Sequence, residues 1–252
     1  KHIEVSLLLI EQCESKNIDI NAINNSGDSA FSQSCFNGLT EIVDSLLKAP
    51  KLDVNLKNKN GDSGLYLACS NKHIEVALLL IEQCESKNID INAVNNQGVS
   101  AFYQACLNGL TEVVDNLLKA PVFRYKPTRN VDGNTEIHQA SYHGHTEIIR
   151  FLLEHSTACQ PINATNLKKE TAFHKACASG HIETVSFFLE KSKSHAIRIN
   201  AKDQRGAHAI RHARRYAHSH IVELLENDSI VNPTLQFRPY GHGPFICKHQ
   251  CC

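Results

Sequence analysis

Several residue types are scarce in this sequence. It has no methionine and no tryptophan, its aromatic content is 6%, and its 252 residues include only 12 glycines and 7 prolines. So few aromatic side chains disfavour a platform for stacking nucleic-acid bases, and this composition also disfavours a barrel. No apolar run approaches the roughly 18 residues of a membrane span. The composition favours helices packed through Leu, Ile, Val and Ala, with no membrane partner.

Net charge is also absent, because 26 Lys and Arg residues balance 26 Asp and Glu residues. This argues against general electrostatic binding of nucleic acid or anionic lipid. The balance hides two opposite parts: residues 1–126 hold 11 basic and 15 acidic side chains, and residues 127–252 hold 15 and 11. The second part has 13 of the 15 histidines, so mild acidification is expected to strengthen this polarity where the imidazoles are accessible. An acidic partner is therefore expected near the C-terminal end.

The sequence lacks an initiating methionine and a charged-then-apolar leader. We therefore expect a segment of a longer protein with no signal peptide. It also lacks a P-loop, a GxGxxG or HExxH motif and a nucleophile elbow, so we expect no catalysis by this segment.

An internal repeat dominates what is present. Residues 2–25 are nearly identical to residues 73–96, and the match continues from 27–50 to 98–121, at an offset of 71. A shorter spacing of 34 to 37 residues lies within it, which is the signature of a repeat solenoid. The equivalent positions are Gly27, Gly61, Gly98, Gly133, Lys169 and Gly206.

Each unit follows one plan. A polar turn leads to a short apolar segment with small residues, and a second segment follows a tight turn. In the second segment the apolar residues recur at i, i+3, i+4 and i+7, as in residues 181–190, which predicts a helix with one buried face. The pattern therefore predicts two helices per unit, the second one lengthened at residues 7–22 and 78–93. Glycine suits a left-handed turn between them, as at Gly144 and Gly180.

Two units carry a longer motif, TEIHQASYHGHTEI at residues 135–148 and TAFHKACASGHIETV at residues 171–185. With the spacing above, this motif resembles the ankyrin repeat. The matching residues are Thr135, Ile137, His138, Ala140, Gly144, His145, Glu147 and Ile148, and Thr171, Phe173, His174, Ala176, Gly180, His181, Glu183 and Val185.

The resemblance implies an all-α ankyrin-repeat solenoid over residues 1–226. A truncated repeat at 1–23 precedes units that start near residues 24, 58, 95, 130, 166 and 203, and residues 227–252 form an irregular C-terminal tail or cap. The last unit is degraded, with His208 in place of the Thr and Ala217 in place of the Gly. The family's imidazole, here His138 and His174, is expected to hydrogen-bond the turns of adjacent units. We expect a monomer.

The resemblance also implies a protein–protein interaction module, because such a stack exposes a concave surface of turn tips and first-helix faces. Large or polar residues at these places are the candidate partner contacts, since aromatic and Arg side chains are favoured interface anchors. The candidates are Gln97, Val99, Asp132, Lys168 and Arg205 on turns, and Phe36, Leu107, Tyr142, His143, Arg215 and Tyr216 at helix ends. The alternative is a targeting domain of a larger enzyme or of a secreted bacterial effector delivered into a host cytosol.

The segment VFRYKPTRN (residues 122–130) replaces the linker found in other units. Phe123, Arg124 and Tyr125 are residue types enriched at interfaces. In the alternative interpretation, the segment repairs a repeat boundary and Phe123 fills the core. A basic stretch at 205–220, with Arg205, Arg211, Arg214 and Arg215, favours a solvated final cap over a nucleic-acid surface.

Ten cysteines include no CxxC pair. Cys35, Cys69, Cys106 and Cys177 fall on a small-residue position of the first helix, which predicts core packing and a reducing, cytoplasmic compartment. His242, Cys247, His249, Cys251 and Cys252 crowd the tail with zinc-ligand types. Their spacing does not fit a zinc finger, so we expect an irregular cap with no metal or cofactor.

Overall fold

The structure is a computed structural model that describes residues 2–231 except 14, 15, 17 and 156–161. Cys159 and the cysteines and histidines of residues 242–252 lie outside the described residues. The described residues form thirteen α-helices. In chain order they are α1 (His2–Gln12), α2 (Ala30–Phe36), α3 (Thr40–Lys48), α4 (Gly64–Ser70), α5 (Ile74–Glu82), α6 (Ala101–Asn108), α7 (Thr111–Lys119), α8 (Glu136–Tyr142), α9 (Thr146–Glu154), α10 (Ala172–Ser179), α11 (Ile182–Lys191), α12 (Ala209–Arg215) and α13 (Ser219–Asn227).

The helices form two layers. The first helices of the units, α2, α4, α6, α8, α10 and α12, pack on one another in chain order. The second helices, α1, α3, α5, α7, α9, α11 and α13, do the same in the other layer. Over residues 2–231, apart from the gaps named above, no strand forms, and two isolated antiparallel bridges join Ile23 to Ser29 and Val94 to Ser100. The predicted all-α solenoid is confirmed.

The core runs continuously between the two layers. Second helices contribute an apolar stripe, as at Val43 and Leu46 of α3, and first helices contribute small residues such as Ala105. Cys69 and Cys106 are fully buried among them, and so are Cys35 and Cys177. Burial raises the pKa of the Cys69 thiol to about 12, so it stays protonated and packs as a small apolar group. Core packing of these four cysteines is confirmed.

The predicted lengthening of the second helix is wrong. The helix α5 ends at Glu82, and residues 83–88 form turns instead of further helix. Asn88 adopts a positive φ of 53°, after which Ile89 and Ile91 turn back into the core. Because the chain must bury these two side chains on its way to the next unit, it leaves the helix early.

An asparagine side chain organises the turn at the start of each unit. The Oδ1 atom of Asn166 accepts hydrogen bonds from the backbone N–H groups of Lys168 and Glu170, both at 2.9 Å. This side-chain acceptor stabilises the tight turn, which also contains a residue with positive φ, here Lys169. The same two bonds form at Asn24, Asn58, Asn95, Asn130 and Asp203.

Two buried histidines join adjacent units. His138 accepts from the backbone N–H of Thr135 at Nδ1 (3.2 Å), and its Nε2–H donates to the carbonyl of Glu170 in the next unit (2.9 Å). His174 makes the equivalent bonds to Thr171 and Ala207. The role that the resemblance assigned to these imidazoles is confirmed.

These histidines make the stability of the fold depend on pH. Burial lowers the pKa of His138 from 6.5 to about 4 and also lowers the pKa of His174. The unfolded state therefore binds protons at a higher pH than the folded state does. The contribution of these histidines to stability is complete above the pKa of the unfolded state, and it is lost as the pH falls from there towards the pKa of the folded state. Between about pH 7.5 and pH 5.5, we expect His138 to lower the free energy of unfolding by about 1 kcal/mol.

Urea unfolding of the wild type and of His138→Gln at both pH values measures this contribution. Burial raises the pKa of Glu136, which acts in the opposite direction, so the difference between the two proteins isolates His138. Between the two pH values, the free energy of unfolding of His138→Gln should fall by about 1 kcal/mol less than that of the wild type. The exposed control His220→Gln should show the same decrease as the wild type. Equal pH dependence in all three proteins would contradict the assignment.

Candidate functional site

Large side chains line the C-terminal ends of several first helices. Phe36 and Tyr142 are the last residues of α2 and α8, and Tyr216 directly follows α12. All three are roughly half exposed, whereas Leu107 on α6 is partly buried. The structure therefore places Phe36, Leu107 and Tyr142 at equivalent positions of different units. Tyr216 lies one residue further along its unit, at the position of His143, so three of the four predicted contacts have open aromatic faces near the ends of first helices.

A histidine of the next unit fixes the backbone of these residues. The Nε2–H of His73 donates to the carbonyl of Phe36 at 2.9 Å, and that of His181 donates to the carbonyl of Tyr142 at 2.9 Å. His145 reaches Leu107 in the same way at 3.2 Å. The exposed rings of Phe36 and Tyr142 therefore project from backbone that is already held in place.

The histidine ring lies against a glycine in the turn between the two helices. Gly180 has a φ of +83°, and a Cβ built there would lie 2.6 Å from Cε1 of His218. Both the conformation and the close approach require glycine at this position. This explains the glycine that the sequence repeats between the two helices of most units.

Tyr142 is part of an aromatic cluster. Its ring meets the exposed ring of His143 edge-on at 5.0 Å, and His143 stacks on His145 at 5.8 Å. Partial burial, with the charges of His181 and Lys72, lowers the pKa of His143 below its ordinary value. The cluster is therefore largely uncharged near neutral pH.

The expectation that acidification strengthens the charge polarity needs correction. His138 and His174 are buried and have lowered pKa values, and burial also lowers the pKa of His143 and His145. The lowered pKa values oppose protonation of these four imidazoles, so on acidification they add less positive charge to the C-terminal part than expected.

Four of the five predicted turn contacts are exposed, namely Gln97, Asp132, Lys168 and Arg205. The fifth, Val99, is buried. Asp62 and Asn134 occupy the same position in other turns, and each faces the next unit along the stack. Asp62 Oδ1 accepts from Asn95 Nδ2 (3.0 Å), and Asn134 Oδ1 accepts from Asn166 Nδ2 (2.9 Å). Val99 is therefore not available as a partner contact.

Two turn residues that the sequence analysis did not select are the most exposed apolar side chains of the described residues. Val131 is 82% exposed and Leu167 is 72% exposed, at the same position of neighbouring turns. A comparison of this position across units could have identified them, because the other turns carry polar or charged residues there. These are Asn25, Lys59, Asn96 and Gln204.

A cavity of about 310 Å³ lies at the C-terminal units. Basic side chains and an aromatic ring line it, together with two carboxylates and their neighbours. Its lining residues are Lys168, Glu170, Asp203, Gln204, Arg205, His212, Arg215 and Tyr216.

Both carboxylates of this cavity are already engaged by other side chains. Glu170 accepts from Nζ of Lys175 at 2.7 Å, and Asp203 contacts Nε2 of His212 at 2.9 Å. Partial burial alone would raise the pKa of Glu170, but hydrogen bonds and the charge of Lys175 hold that pKa below its usual value. Both acids stay ionised and engaged.

The three cations of the cavity are unpaired by contrast. Among the described residues, Lys168, Arg205 and Arg215 form no ion pair, and the Arg215 guanidinium lies 5.9 Å from the centre of the Tyr216 ring. Arg214 instead pairs with Glu226 at 2.6 Å. The cavity therefore presents net positive charge beside an exposed aromatic ring.

The two aromatic rings of the divergent segment at residues 122–130 face inward. The ring of Phe123 lies 5.0 Å from that of Phe102, and Tyr125 lies 5.7 Å from the same ring. The hydroxyl of Tyr125 donates to Oε2 of the fully buried Glu136 at 3.2 Å. Phe123 and Tyr125 are thus corrected from surface contacts to core-packing residues, and Arg124 is the exposed member of the three.

Replacing Phe123 tests this correction. Phe123→Ala removes a ring that packs against the core, so we expect the free energy of unfolding to fall by about 2 kcal/mol. Arg124→Ala, on the adjacent exposed residue, should change it by less than about 0.5 kcal/mol. Urea unfolding of both variants measures the difference, and a stable Phe123→Ala protein would return Phe123 to the surface candidates.

Two features are absent from the described residues. They contain no group of three or more His, Cys, Asp or Glu side chains placed to hold a metal ion. No helix among them has the length and apolar character needed to cross a membrane.

Comparisons with known proteins agree with the architecture. A family model described as "Ankyrin repeats (3 copies)" matches residues 31–130, 87–163, 103–203 and 137–235. The crystal structure of EF0377, an ankyrin repeat protein, superimposes with a TM-score of 0.65 and 23% sequence identity, covering 81% of this chain and 98% of that one. No curated protein sequence matches the chain.

Proposed function

The chain belongs to the ankyrin-repeat family, and from this premise we propose that it binds a protein partner and has no catalytic role of its own. The exposed row of Phe36, Tyr142 and Tyr216 carries this proposal. Large apolar or aromatic groups at these helix ends are not needed to bury the core, and such side chains are favoured anchors at interfaces.

The fixed backbone of the row supports the proposal energetically. Binding loses affinity when side chains and loops must be ordered at the interface. Here the inter-unit histidine bonds already hold the carbonyls of Phe36, Leu107 and Tyr142. At Phe36 and Tyr142, only side-chain rotation therefore remains to be restricted when a partner binds.

The C-terminal cavity supports an acidic region in the partner. Lys168, Arg205 and Arg215 are unpaired among the described residues, whereas Glu170 and Asp203 are already engaged. An acidic protein segment would place its carboxylates against these cations and an apolar group against Tyr216. Opposite charge of this kind orients partners and accelerates association.

We place this activity in a reducing compartment. All six cysteines of the described residues are free thiols, and five of them are buried. None is needed as a crosslink, since the stack is held by packing and hydrogen bonds.

Removing two aromatic anchors tests the binding row. The immobilised chain should retain partners from a cytosolic extract, identified by mass spectrometry, and Tyr142→Ala with Tyr216→Ala should reduce the affinity of a recovered partner about 10-fold or more. The free energy of unfolding should change little, because both rings are half exposed. The control is Ile182→Ala, an exposed apolar residue of the second-helix layer. Equal affinity of all variants would overturn the assignment.

Acidic peptides test the cavity. A fluorescein-labelled hexaglutamate peptide should bind the wild type, and Lys168→Ser, Arg205→Ser and Arg215→Ser together should weaken binding about 10-fold and reduce its salt dependence. The control removes the same charge elsewhere, with Ser at Lys51, Lys87 and Arg198. Equal weakening in both proteins, or tighter binding of a single-stranded oligonucleotide, would contradict a site for an acidic protein.

A further inference from the structure

Backbone hydrogen bonds link the turns of neighbouring units into a ladder. In each bonded step, the residue after the turn asparagine or aspartate donates its N–H to a carbonyl of the preceding turn. The four steps are Lys59 to Ser26 (3.1 Å), Asn96 to Asn60 (2.9 Å), Leu167 to Asp132 (3.0 Å) and Gln204 to Lys168 (2.8 Å).

One step of the ladder is missing, between the third turn (residues 95–99) and the fourth turn (residues 130–134). The register assigns it to the N–H of Val131 and the carbonyl of Gln97. In the part of the chain that the structure describes, neither group hydrogen-bonds to the other or to any further protein group. This pair leaves one donor and one acceptor free at neighbouring turn tips.

The glycines confirm that the third turn stands apart from the fourth. A Cβ built at Gly27 would lie 2.9 Å from the backbone of Lys59, and one at Gly133 would lie 3.0 Å from the backbone of Leu167. At Gly98 it would meet nothing within 4 Å. Gly206 is equally open, but it belongs to the last turn, whereas Gly98 has a following unit.

A second row of bonds is broken at the same junction. Asn58 Nδ2 donates to Asp28 Oδ1 and Asn95 Nδ2 donates to Asp62 Oδ1, both at 3.0 Å. The residue that should accept from Asn130 is Val99, which has no polar side-chain atom. Nδ2 of Asn130 accordingly makes no hydrogen bond with the described residues.

The break is confined to the turns. Across the same junction, the Nε2–H of His145 donates to the carbonyl of Leu107, and α6 packs against α8. Phe123 and Tyr125 close the region beneath the turns by packing on Phe102. The helices therefore form a continuous stack below an open step.

We propose that this open step is a second binding site, which takes an extended segment of a protein partner as an added strand. A carbonyl of the segment would accept from Val131 N–H, and an N–H of the segment would donate to the Gln97 carbonyl. The two free groups support this occupant, because an extended peptide carries a carbonyl and an N–H that complement the Val131 N–H and the Gln97 carbonyl. Main-chain bonds of this kind provide affinity when a peptide adds to a sheet edge.

The surrounding side chains favour an uncharged, apolar segment. Val131 is 82% exposed and offers an aliphatic surface beside the free N–H. Asp132 is the only charged residue in the two turns, and the guanidinium of the neighbouring Arg129 is already engaged, because its Nη1 donates to the carbonyls of Gly133 and Thr165. The chemistry of this site therefore differs from that of the basic cavity, and the proposal does not depend on the aromatic row.

Hydrogen exchange measured by NMR tests the open step in the free protein. The Val131 amide should exchange about 10-fold or more faster than the Leu167 amide, which occupies the bonded version of the step. Val99→Asp introduces the residue found at Asp28 and Asp62, and it should slow Val131 exchange about 10-fold by giving Asn130 Nδ2 an acceptor. Exchange at Val131 as slow as at Leu167 in the wild type would overturn the proposal.

Peptide binding tests the occupant. A phage-displayed library of twelve-residue peptides is selected on the wild type and counter-selected on Val99→Asp, and an enriched peptide is synthesised. It should slow Val131 exchange, lose about 10-fold or more affinity for Val99→Asp, and lose binding when one of its amides is N-methylated. Gln97→Ala, which keeps the backbone carbonyl, should bind it normally.

Several results would overturn this site. They are enrichment of no peptide, equal binding to Val99→Asp, or binding without slower exchange at Val131. Tyr142→Ala and Tyr216→Ala should leave the binding of the peptide unchanged. If those variants no longer bind the extract-derived partner but still bind the peptide, the aromatic row and this site are independent.

Discussion

Each helix pair of this chain buries its apolar faces only when other helices lie against them. The near-identical segments 2–25 and 73–96 show this constraint directly, since Val76 is 1% exposed and its counterpart Val5 is 56% exposed. The residues are the same, and the neighbouring helices decide their burial. Stability therefore belongs to the contacts between units, as is general for solenoids.

Side chains that reach from one unit to the next keep this stacking in register. His138 and His174 bond forward to the next turn, while His73, His145 and His181 bond backward to the preceding first helix. With register fixed by these buried or half-buried groups, exposed positions are free to vary. Some differences between the near-copies, such as Ser26 against Gln97, fall on such positions, whereas others, such as Asp28 against Val99, fall where a turn faces the next unit.

The sequence was sufficient for features that depend on local pattern. Helix pairing, the buried cysteines and the bridging imidazoles follow from periodicity and from the family resemblance. It was insufficient where burial depends on a neighbouring unit. Val99 lies on a turn but faces the next unit, and Phe123 lies on a divergent linker but packs on Phe102. The predicted helix ends early because Ile89 and Ile91 are buried in the core on the way to the next unit.

The duplicated block also bears on how the chain finds its fold. Residues 95–121 resemble residues 24–50 so closely that the two stretches can compete for the same face of α4 while the chain folds. A misfolded stack of this kind is a characteristic hazard of repeat proteins. The correct arrangement gains the bond from Asn58 to Asp28, which Val99 cannot provide in the wrong one. A single carboxylate thus helps the folding chain to distinguish two otherwise interchangeable copies of itself.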